Sequence, residues 1–424
     1  MSVAAPPEPP GPPSGVPGFV SSVWRVARQV ASDPRPRGIL QAAPRTAAFL
    51  TRANARTAAG ALDETVVPVR PSPGLAAQVL LDEVMIAAFR HPRLLPRAGD
   101  YETAARDLAE ARAVLEAGGW LDDPAGYHGT PAAPDLVVHR HGQVPGMRYE
   151  HLAFPSAWEP RPGEPGRDRW LSYTANRTAH AWIARARAGS RSWVVCVHGF
   201  GMGSNPLLDL NAFRASQLVR AGLNVAVVVL PMHGKRSAGR ALGEGFMSID
   251  LVDSMHGIAQ AAWDTRRLVA WLRREEGAEK VGVMGHSLGG HVVSLVAGIE
   301  PGLDCVIAGI PVVDLPDLYR RHSPPAIARR AEHHAVLGAP ADAVHKVVSP
   351  LALDCLVPPD GRFIFAGLGD RMATFGHAHR LWMHWGRPRL ATYEGGHVGF
   401  YWSGAVRRFV TDSLEAAGLL RAAP

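Results

Sequence analysis

The sequence predicts an α/β protein built on a doubly wound, mostly parallel sheet. Six short apolar runs recur after residue 190, and stretches of helical periodicity separate them. Strands of a parallel sheet are buried on both faces, so they appear as continuous apolar runs, and the intervening helices cover those faces. With 424 residues, 47% of them hydrophobic, the chain can bury a large core. The predicted strands are 193–197, 225–230, 280–284, 304–310, 362–366 and 389–393.

Three regions differ in composition along the chain. Residues 1–18 are rich in Pro and Gly and are expected to form a disordered tail. Residues 19–130 are interpreted as a helical N-terminal extension, and 131–424 as the domain that contains the sheet. The extension carries no recognisable chemistry, so we interpret it as a scaffold, a dimer surface or a partial cover for a site.

Helical patterns recur within the extension. Residues 19–32 carry a modest apolar stripe with Arg residues opposite, which favours a helix packed on the main body over weak contact with a membrane surface. Residues 100–116 form a strong helix pattern that ends at a Gly pair. The apolar stretch 76–89 is interrupted by Asp82 and Glu83, so no transmembrane span is predicted.

The residues before and between the parallel strands also have patterns that predict secondary structure. Short β-like runs over 136–139, 149–154 and 173–183 predict an antiparallel edge to the sheet. Residues 315–359 read as short helices with Pro breaks between two strands. They are interpreted either as a small cap inserted over the site or as an ordinary connection.

Composition argues against several classes of protein. The formal net charge is +7, but the basic residues are scattered and interleaved with acids, which argues against a nucleic-acid partner. Three separated cysteines do not indicate a disulfide framework. The N-terminus lacks the basic start and apolar segment of a secretory signal. We therefore expect a cytoplasmic protein.

A candidate nucleophile lies where the third parallel strand ends. Gly285-His-Ser-Leu-Gly289 follows that strand and opens a helix. A sharp strand-to-helix turn holds Ser287 in a strained backbone conformation above the sheet edge, and Gly285 and Gly289 avoid steric clashes on either side. The helix N-terminus supplies amide donors for a developing oxyanion.

A second Gly-rich loop follows the first parallel strand. In His198-Gly199-Phe200-Gly201, the glycines let the backbone approach a substrate carbonyl. The backbone amides of Phe200 and Leu288 are the predicted oxyanion donors. His198 is interpreted as a brace for this loop rather than a proton carrier.

A serine nucleophile needs a base and an acid that orients the base. His397 follows the last strand, and Asp370 follows the fifth, so both should lie on the same edge as Ser287. Asp314 and Asp317 are rival acids, because they follow the next predicted strand after the Ser287 turn. The three histidines 377, 379 and 384 lie in a helical stretch and are expected to be exposed.

Further residues are candidates for a pocket or a metal site. Met232 and His233 follow a strand at the same edge and are possible pocket residues. The pairs His139–His141 and His377–His379 have no accompanying carboxylate cluster, so we expect neither a metal nor a cofactor.

Residues 136–424 resemble the α/β-hydrolase superfamily. The resemblance lies in the His198-Gly-Phe-Gly loop, the Ser287 elbow, Asp370 and His397. It implies attack by Ser287 on the acyl carbon of a small molecule, most simply a carboxylic ester, through an acyl-enzyme. A peptidase, a thioesterase or another acyl-transfer enzyme is the alternative on the same fold, and a non-catalytic binding protein is the third hypothesis.

Overall fold

The computed structural model describes residues 40–58, 69–89, 96–186, 189–237, 239, 243, 245–246 and 250–421. The predicted tail 1–18 and the amphipathic segment 19–32 lie outside these residues. Among the described residues, no helix is both long and apolar enough to cross a bilayer.

A nine-stranded sheet organises the chain, in the order β1-β2-β3-β5-β4-β6-β7-β8-β9. The strands β1, β2, β3 and β5 pair antiparallel, whereas all pairs from β5 through β4 and β6 to β9 are parallel. The sheet is therefore a parallel block with an antiparallel edge, which confirms the predicted fold class. The strands are β1 Val138–Val144, β2 Met147–Pro155, β3 Thr178–Ala184, β4 Ser192–Val197, β5 Asn224–Val229, β6 Lys280–His286, β7 Cys305–Gly309, β8 Arg362–Gly367 and β9 Arg389–Tyr393.

Helices cover both faces of the sheet. Their starts are set by local sequence: Asp250 accepts a hydrogen bond from the amide of Asp253, and Ser403 one from the amide of Val406, as helix N-caps do. The helices are α1 Ala42–Ala58, α2 Pro73–Phe89, α3 Ala98–Ala117, α4 Arg167–Ser172, α5 Pro206–Ala212, α6 Ala215–Arg220, α7 Leu251–Glu275, α8 Leu288–Ile299, α9 Leu315–His322, α10 Pro325–His333, α11 Ala339–Lys346, α12 Phe375–His384 and α13 Gly404–Ala416.

Alternate side chains of the central strands enter two separate cores, because successive side chains of a strand point to opposite faces. In β4, Val195 joins the larger core beneath α3, α7 and α8, and Val194 joins the smaller core beneath α5, α6 and α13. Leu108 of α3 is fully buried in the larger core. The third helix of the N-terminal extension therefore packs on the main body, against α7 and α11.

Two predicted elements differ from those observed. The run 173–183 was expected to be one strand, but residues Thr174–Arg177 form a 3-10 turn and β3 begins at Thr178. Residues 210–221, part of the helical periodicity between the first two parallel strands, lie in two helices, α5 and α6, rather than one. Arg214 between them has a φ of 52°, a left-handed conformation that interrupts the helix.

Candidate active site

Ser287 occupies the turn between β6 and α8. Its φ of 57° and ψ of −114° lie outside the helical and extended regions that most residues adopt. A Cβ at Gly285 would clash with the carbonyl oxygen of Gly289, and a Cβ at Gly289 with that of Val197. Glycine at both positions is therefore a steric requirement of the turn. The amide of Ser287 donates to the carbonyl of Gly309 (2.9 Å), which ties the turn to β7.

The Gly-rich loop after β4 lies beside this serine. A Cβ added to Gly199 would lie 3.6 Å from the Cβ of Ser287, so the two backbones approach closely. Leu288 is the first residue of α8, and a helix leaves its first amides without an intrahelical acceptor. The two predicted oxyanion donors thus belong to neighbouring segments at one edge of the sheet.

His198 braces that loop from below. Its Nε2 accepts a hydrogen bond from the amide of Leu230 (3.1 Å), and its Nδ1 donates to the carbonyl of Gly199 (2.8 Å). Complete burial lowers the pKa of His198 to about 3. A neutral imidazole with hydrogen bonds at both ring nitrogens suits the structural role predicted for His198.

His397 and Asp370 meet at the carboxyl ends of β9 and β8. Nδ1 of His397 lies 2.7 Å from Oδ2 of Asp370, and both side chains are buried. The other Asp370 oxygen accepts from the amides of Met372 (2.8 Å) and Ala373 (2.9 Å). These bonds fix the carboxylate so that Oδ2 faces the imidazole.

The environment of His397 favours its protonated form. Burial by itself would lower the pKa of the imidazole, but the Asp370 carboxylate, with Asp82 as a further negative group, outweighs burial and raises the pKa above its ordinary value. This is the electrostatic setting that an imidazole needs to accept a proton from a nucleophile.

Aromatic packing joins the serine turn to the His397 loop. The ring of His286, one residue before Ser287, lies 4.5 Å from the ring of Phe400, three residues after His397. On its other side the same ring stacks on Phe213 at 4.5 Å.

The rival acids are engaged elsewhere. Asp314 accepts from the amide of Asp317 (2.8 Å) as the N-cap of α9 and pairs with Arg380 (2.8 Å). Asp317 lies 3.4 Å from Nε2 of His377. Of the three candidate acids, the structure brings Asp370 to His397.

The expected exposure of one histidine was wrong. His377 is buried, and its Nδ1 accepts from the amide of Val313 (3.2 Å), a contact that its position in a short helix did not reveal. His379 is half-buried and His384 is exposed. Among the described residues, no group of three or more His, Cys, Asp or Glu side chains is placed to hold a metal ion.

Met232 and His233 are packed beneath the edge of the sheet. Met232 has a φ of 59° and donates its amide to Asn176 (2.9 Å). The ring of His233 lies between those of Phe200 (5.4 Å) and Phe246 (5.6 Å). Both side chains are buried, His233 against the Phe200 ring and Met232 against Asn176, and their role as pocket residues stays a prediction.

Sequence reasoning missed Asp82. Both of its carboxylate oxygens accept from the amide of His397 (3.0 and 2.8 Å), and one also accepts from the amide of Arg371 (3.0 Å). The signal in the sequence was the pair Asp82-Glu83 inside an otherwise apolar helix. Acidic side chains on a buried surface require polar partners.

Known proteins that resemble this chain include relatives by sequence and solved structures with a similar fold. No protein-family model matches the chain. Two proteins of Mycobacterium tuberculosis are similar: the uncharacterized protein MT2702 of strain CDC 1551 / Oshkosh and the uncharacterized protein Rv2627c of strain ATCC 25618 / H37Rv. Each is 41% identical over 355 residues, which cover 83% of this chain and 85% of the relative.

Solved structures with a similar fold include two hydrolases. Acetyl xylan esterase 1 from Thermoanaerobacterium sp. JW/SL YS485 is 16% identical with a TM-score of 0.47, over 71% of this chain and 93% of that chain. The acylaminoacyl peptidase of Pyrococcus horikoshii is 14% identical with a TM-score of 0.40, over 56% and 39%. The α/β-hydrolase fold of this chain rests on its own strand order and on the turn at Ser287.

Proposed function

We propose that this chain, which belongs to the same family as the mycobacterial proteins MT2702 and Rv2627c, is a serine hydrolase that cleaves a carboxylic ester through an acyl-enzyme on Ser287. His397 is the base and Asp370 the acid that orients it. The observation that carries the proposal is the buried 2.7 Å contact between His397 Nδ1 and Asp370 Oδ2, at the sheet edge where Ser287 occupies its strained turn.

The reaction follows from the chemistry of these groups. Ser287 Oγ attacks the acyl carbon while Nε2 of His397 takes the hydroxyl proton, and the amides of Phe200 and Leu288 stabilise the oxyanion. The imidazolium then gives the proton to the leaving alcohol, and the acyl group stays on Ser287. Water activated by His397 next attacks the ester carbon and releases the acid and free Ser287.

The same groups can cleave a thioester or an amide, because only the leaving group differs. A panel of p-nitrophenyl esters of increasing acyl length, an acyl-CoA and an aminoacyl amide separates these substrate classes. We expect the highest kcat/KM on an ester. A preference for the amide or the acyl-CoA would reassign the leaving group while keeping the nucleophile.

The nucleophile is tested with a fluorophosphonate probe, which reacts with activated serines. We expect covalent labelling of the wild-type protein at Ser287 and loss of both labelling and hydrolysis in Ser287→Ala. The matched control is Ser294→Ala, which removes a buried hydroxyl from the same helix, where it donates to the carbonyl of Gly290. Absence of labelling in folded wild-type protein would favour the non-catalytic binding protein instead.

A further inference from the structure

Helix α2 of the N-terminal extension lies against both loops that carry the predicted base and acid. Gln78 Oε1 accepts from the amide of Gly396 (3.1 Å), and one helical turn later Asp82 accepts from the amides of His397 (3.0 and 2.8 Å) and Arg371 (3.0 Å). The two helix residues are therefore bonded to the loop after β9, and Asp82 also to the loop after β8.

The loop after β9 is shaped to receive this helix. A Cβ at Gly396 would lie 2.9 Å from Asp82 Oδ2 and 2.9 Å from the backbone oxygen of Gln78. A Cβ at Gly395 or Gly399 would clash with the side-chain oxygen of Gln78. Side chains at these glycines would separate α2 from the backbone of His397.

Asp82 is a buried negative group beside the predicted catalytic pair. Its side chain has no solvent exposure. Burial and the charge of Asp370 raise the pKa of Asp82 to about 7, against the opposing effect of His397 and of the two backbone amides. In turn, Asp82 contributes to the raised pKa of His397.

Several other groups face this carboxylate. From the loop after β8 come Asp370 and the backbone of Arg371, whose side chain turns away to Glu83 (3.0 Å). From β9 comes Tyr393, whose hydroxyl donates to the carbonyl of Gly396 (2.9 Å). Burial and the charges of Asp370 and Asp82 keep the pKa of Tyr393 well above its usual range, so this phenol does not titrate near neutral pH.

We propose that Asp82 is a positioning residue of the proposed hydrolase, which holds the backbone of His397 and adds a second negative charge near the imidazolium that forms during acyl transfer. The proposal rests on the proposed function. It gives the N-terminal extension a part in the site: α2 supports the backbone of the base through contacts that α/β strand order alone does not supply.

The charge of Asp82 has a predictable effect on the pH profile. An ionised Asp82 favours protonated His397, so the neutral base that takes the Ser287 proton forms at higher pH. Removing the charge lowers the pKa of His397 and moves the acidic limb of the rate profile to lower pH. It also removes stabilisation of the imidazolium, so the plateau rate falls.

The test compares Asp82→Asn with Glu83→Gln. Asn keeps the size and one acceptor of Asp82 but carries no charge. Gln at 83 removes a charge from the neighbouring position, where Glu83 contacts Arg371 (3.0 Å) and Arg45 (3.8 Å) rather than His397. The rate of fluorophosphonate labelling is measured from pH 5 to pH 9 on folded protein.

We expect the acidic limb of Asp82→Asn to move down by about 0.5–1 pH unit and its plateau to fall about tenfold. Glu83→Gln should keep the wild-type limb. An Asp82→Asn protein with an unchanged limb and plateau, or a Glu83→Gln protein with the same shift, would overturn the proposal.

A second measurement needs neither turnover nor a variant of Asp82. NMR titration of the His397 imidazole in wild-type protein, assigned by comparison with His397→Gln, should give a pKa above 6.5 and a second step near pH 7 as Asp82 ionises. A single step at or below pH 6.5 contradicts the role of Asp82. If wild-type protein is not labelled but both steps appear, the proposed hydrolase function fails and the coupling of the two groups stands.

Discussion

The Asp370–His397 pair shows how backbone bonds select one carboxylate as the partner of an imidazole. Oδ1 of Asp370 is held by the amides of Met372 and Ala373, and Oδ2 is left to accept from Nδ1 of His397. With its proton on Nδ1, a neutral imidazole has its lone pair on Nε2, the atom that takes the serine proton in our proposal.

Replacing this acid tests the assignment. Asp370→Asn presents an amide that cannot serve as a charged partner for the imidazolium, so we expect kcat to fall about 10³–10⁴-fold. Asp314→Asn is the matched control, because Asn also caps a helix and the change removes only the charge opposite Arg380, so it should cost less than about 1 kcal/mol of stability and change kcat little. Steady-state hydrolysis and urea unfolding measure the two effects. Equal losses of kcat in the two variants would contradict the choice of Asp370.

The positions of residues that follow parallel strands were predictable from the sequence. The carboxyl ends of parallel strands lie at one edge of the sheet, so the residues that follow them lie at that edge as well. That reasoning placed Ser287, Asp370 and His397 at one edge, as the structure does. The burial of His377 was not predictable. Its partner is the amide of Val313, 64 residues away, and no local pattern encodes that contact.

At the scale of elements, the fit between α2 and the loop after β9 depends on the absence of side chains from the loop. Gly396 is a suitable probe, since an added Cβ would press on the backbone oxygen of Gln78 and on Asp82, both at 2.9 Å. The backbone of a helix cannot yield as a flexible side chain can, so the loop or the helix must shift.

We therefore expect Gly396→Ala to lower the free energy of unfolding by about 1–3 kcal/mol and to slow fluorophosphonate labelling. The control is Gly376→Ala at the start of α12, where an added Cβ meets only the Thr374 hydroxyl at 3.7 Å. Ala is also the better helix former, so this control should be neutral or slightly stabilising. Urea unfolding monitored by circular dichroism decides the matter, and an undisturbed Gly396→Ala protein would argue against tight packing of α2 on the loop.

The sequence predicted α2 as a helix but not its partner. A stripe of apolar residues indicates that one face of a helix is buried, but it does not identify the surface that covers this face. The contact between Asp82 and His397 joins residues that lie 315 positions apart in the sequence. The extension therefore cannot be removed without loss of buried contacts to the rest of the chain. Removing residues 1–120 would remove Asp82 and also Leu108, which is fully buried in the larger core.

At the scale of the whole molecule, many histidines of the described residues lie where their charged form is disfavoured. Burial lowers the pKa of nine of them to about 3 or 4. They are His128, His151, His180, His198, His233, His256, His286, His291 and His345. Their folded-state pKa lies below the unfolded value of 6.5, so the stability they contribute is present above pH 6.5 and is lost as the pH falls.

Buried carboxyls have the opposite effect. Burial raises the pKa of six of them, Asp82, Glu164, Asp209, Asp250, Asp253 and Asp264. The stability that they contribute is present at low pH and is lost as the pH rises toward the folded-state pKa. Near pH 5, unfolding adds protons to the histidines and releases them from the buried carboxyls whose pKa lies above that pH, such as Asp82 at about 7. The nine histidines outnumber these carboxyls, so we expect a net uptake of protons on unfolding.

Each proton of net uptake lowers the free energy of unfolding by about 1.4 kcal/mol per pH unit, so the stability of the fold should decrease as the pH falls from 6.5 to 5. The measurement is the urea midpoint at half-unit steps from pH 7 to pH 4.5. His345→Gln keeps a donor for the carbonyl of Leu251, which His345 Nε2 contacts at 3.0 Å, and should reduce the slope by about one proton. The exposed His333→Gln should leave the slope unchanged. A urea midpoint that stays constant or rises as the pH falls from 6.5 to 5 would contradict this prediction. Either the carboxyls would then balance or outweigh the histidines, or the buried imidazoles would bind protons in the folded state.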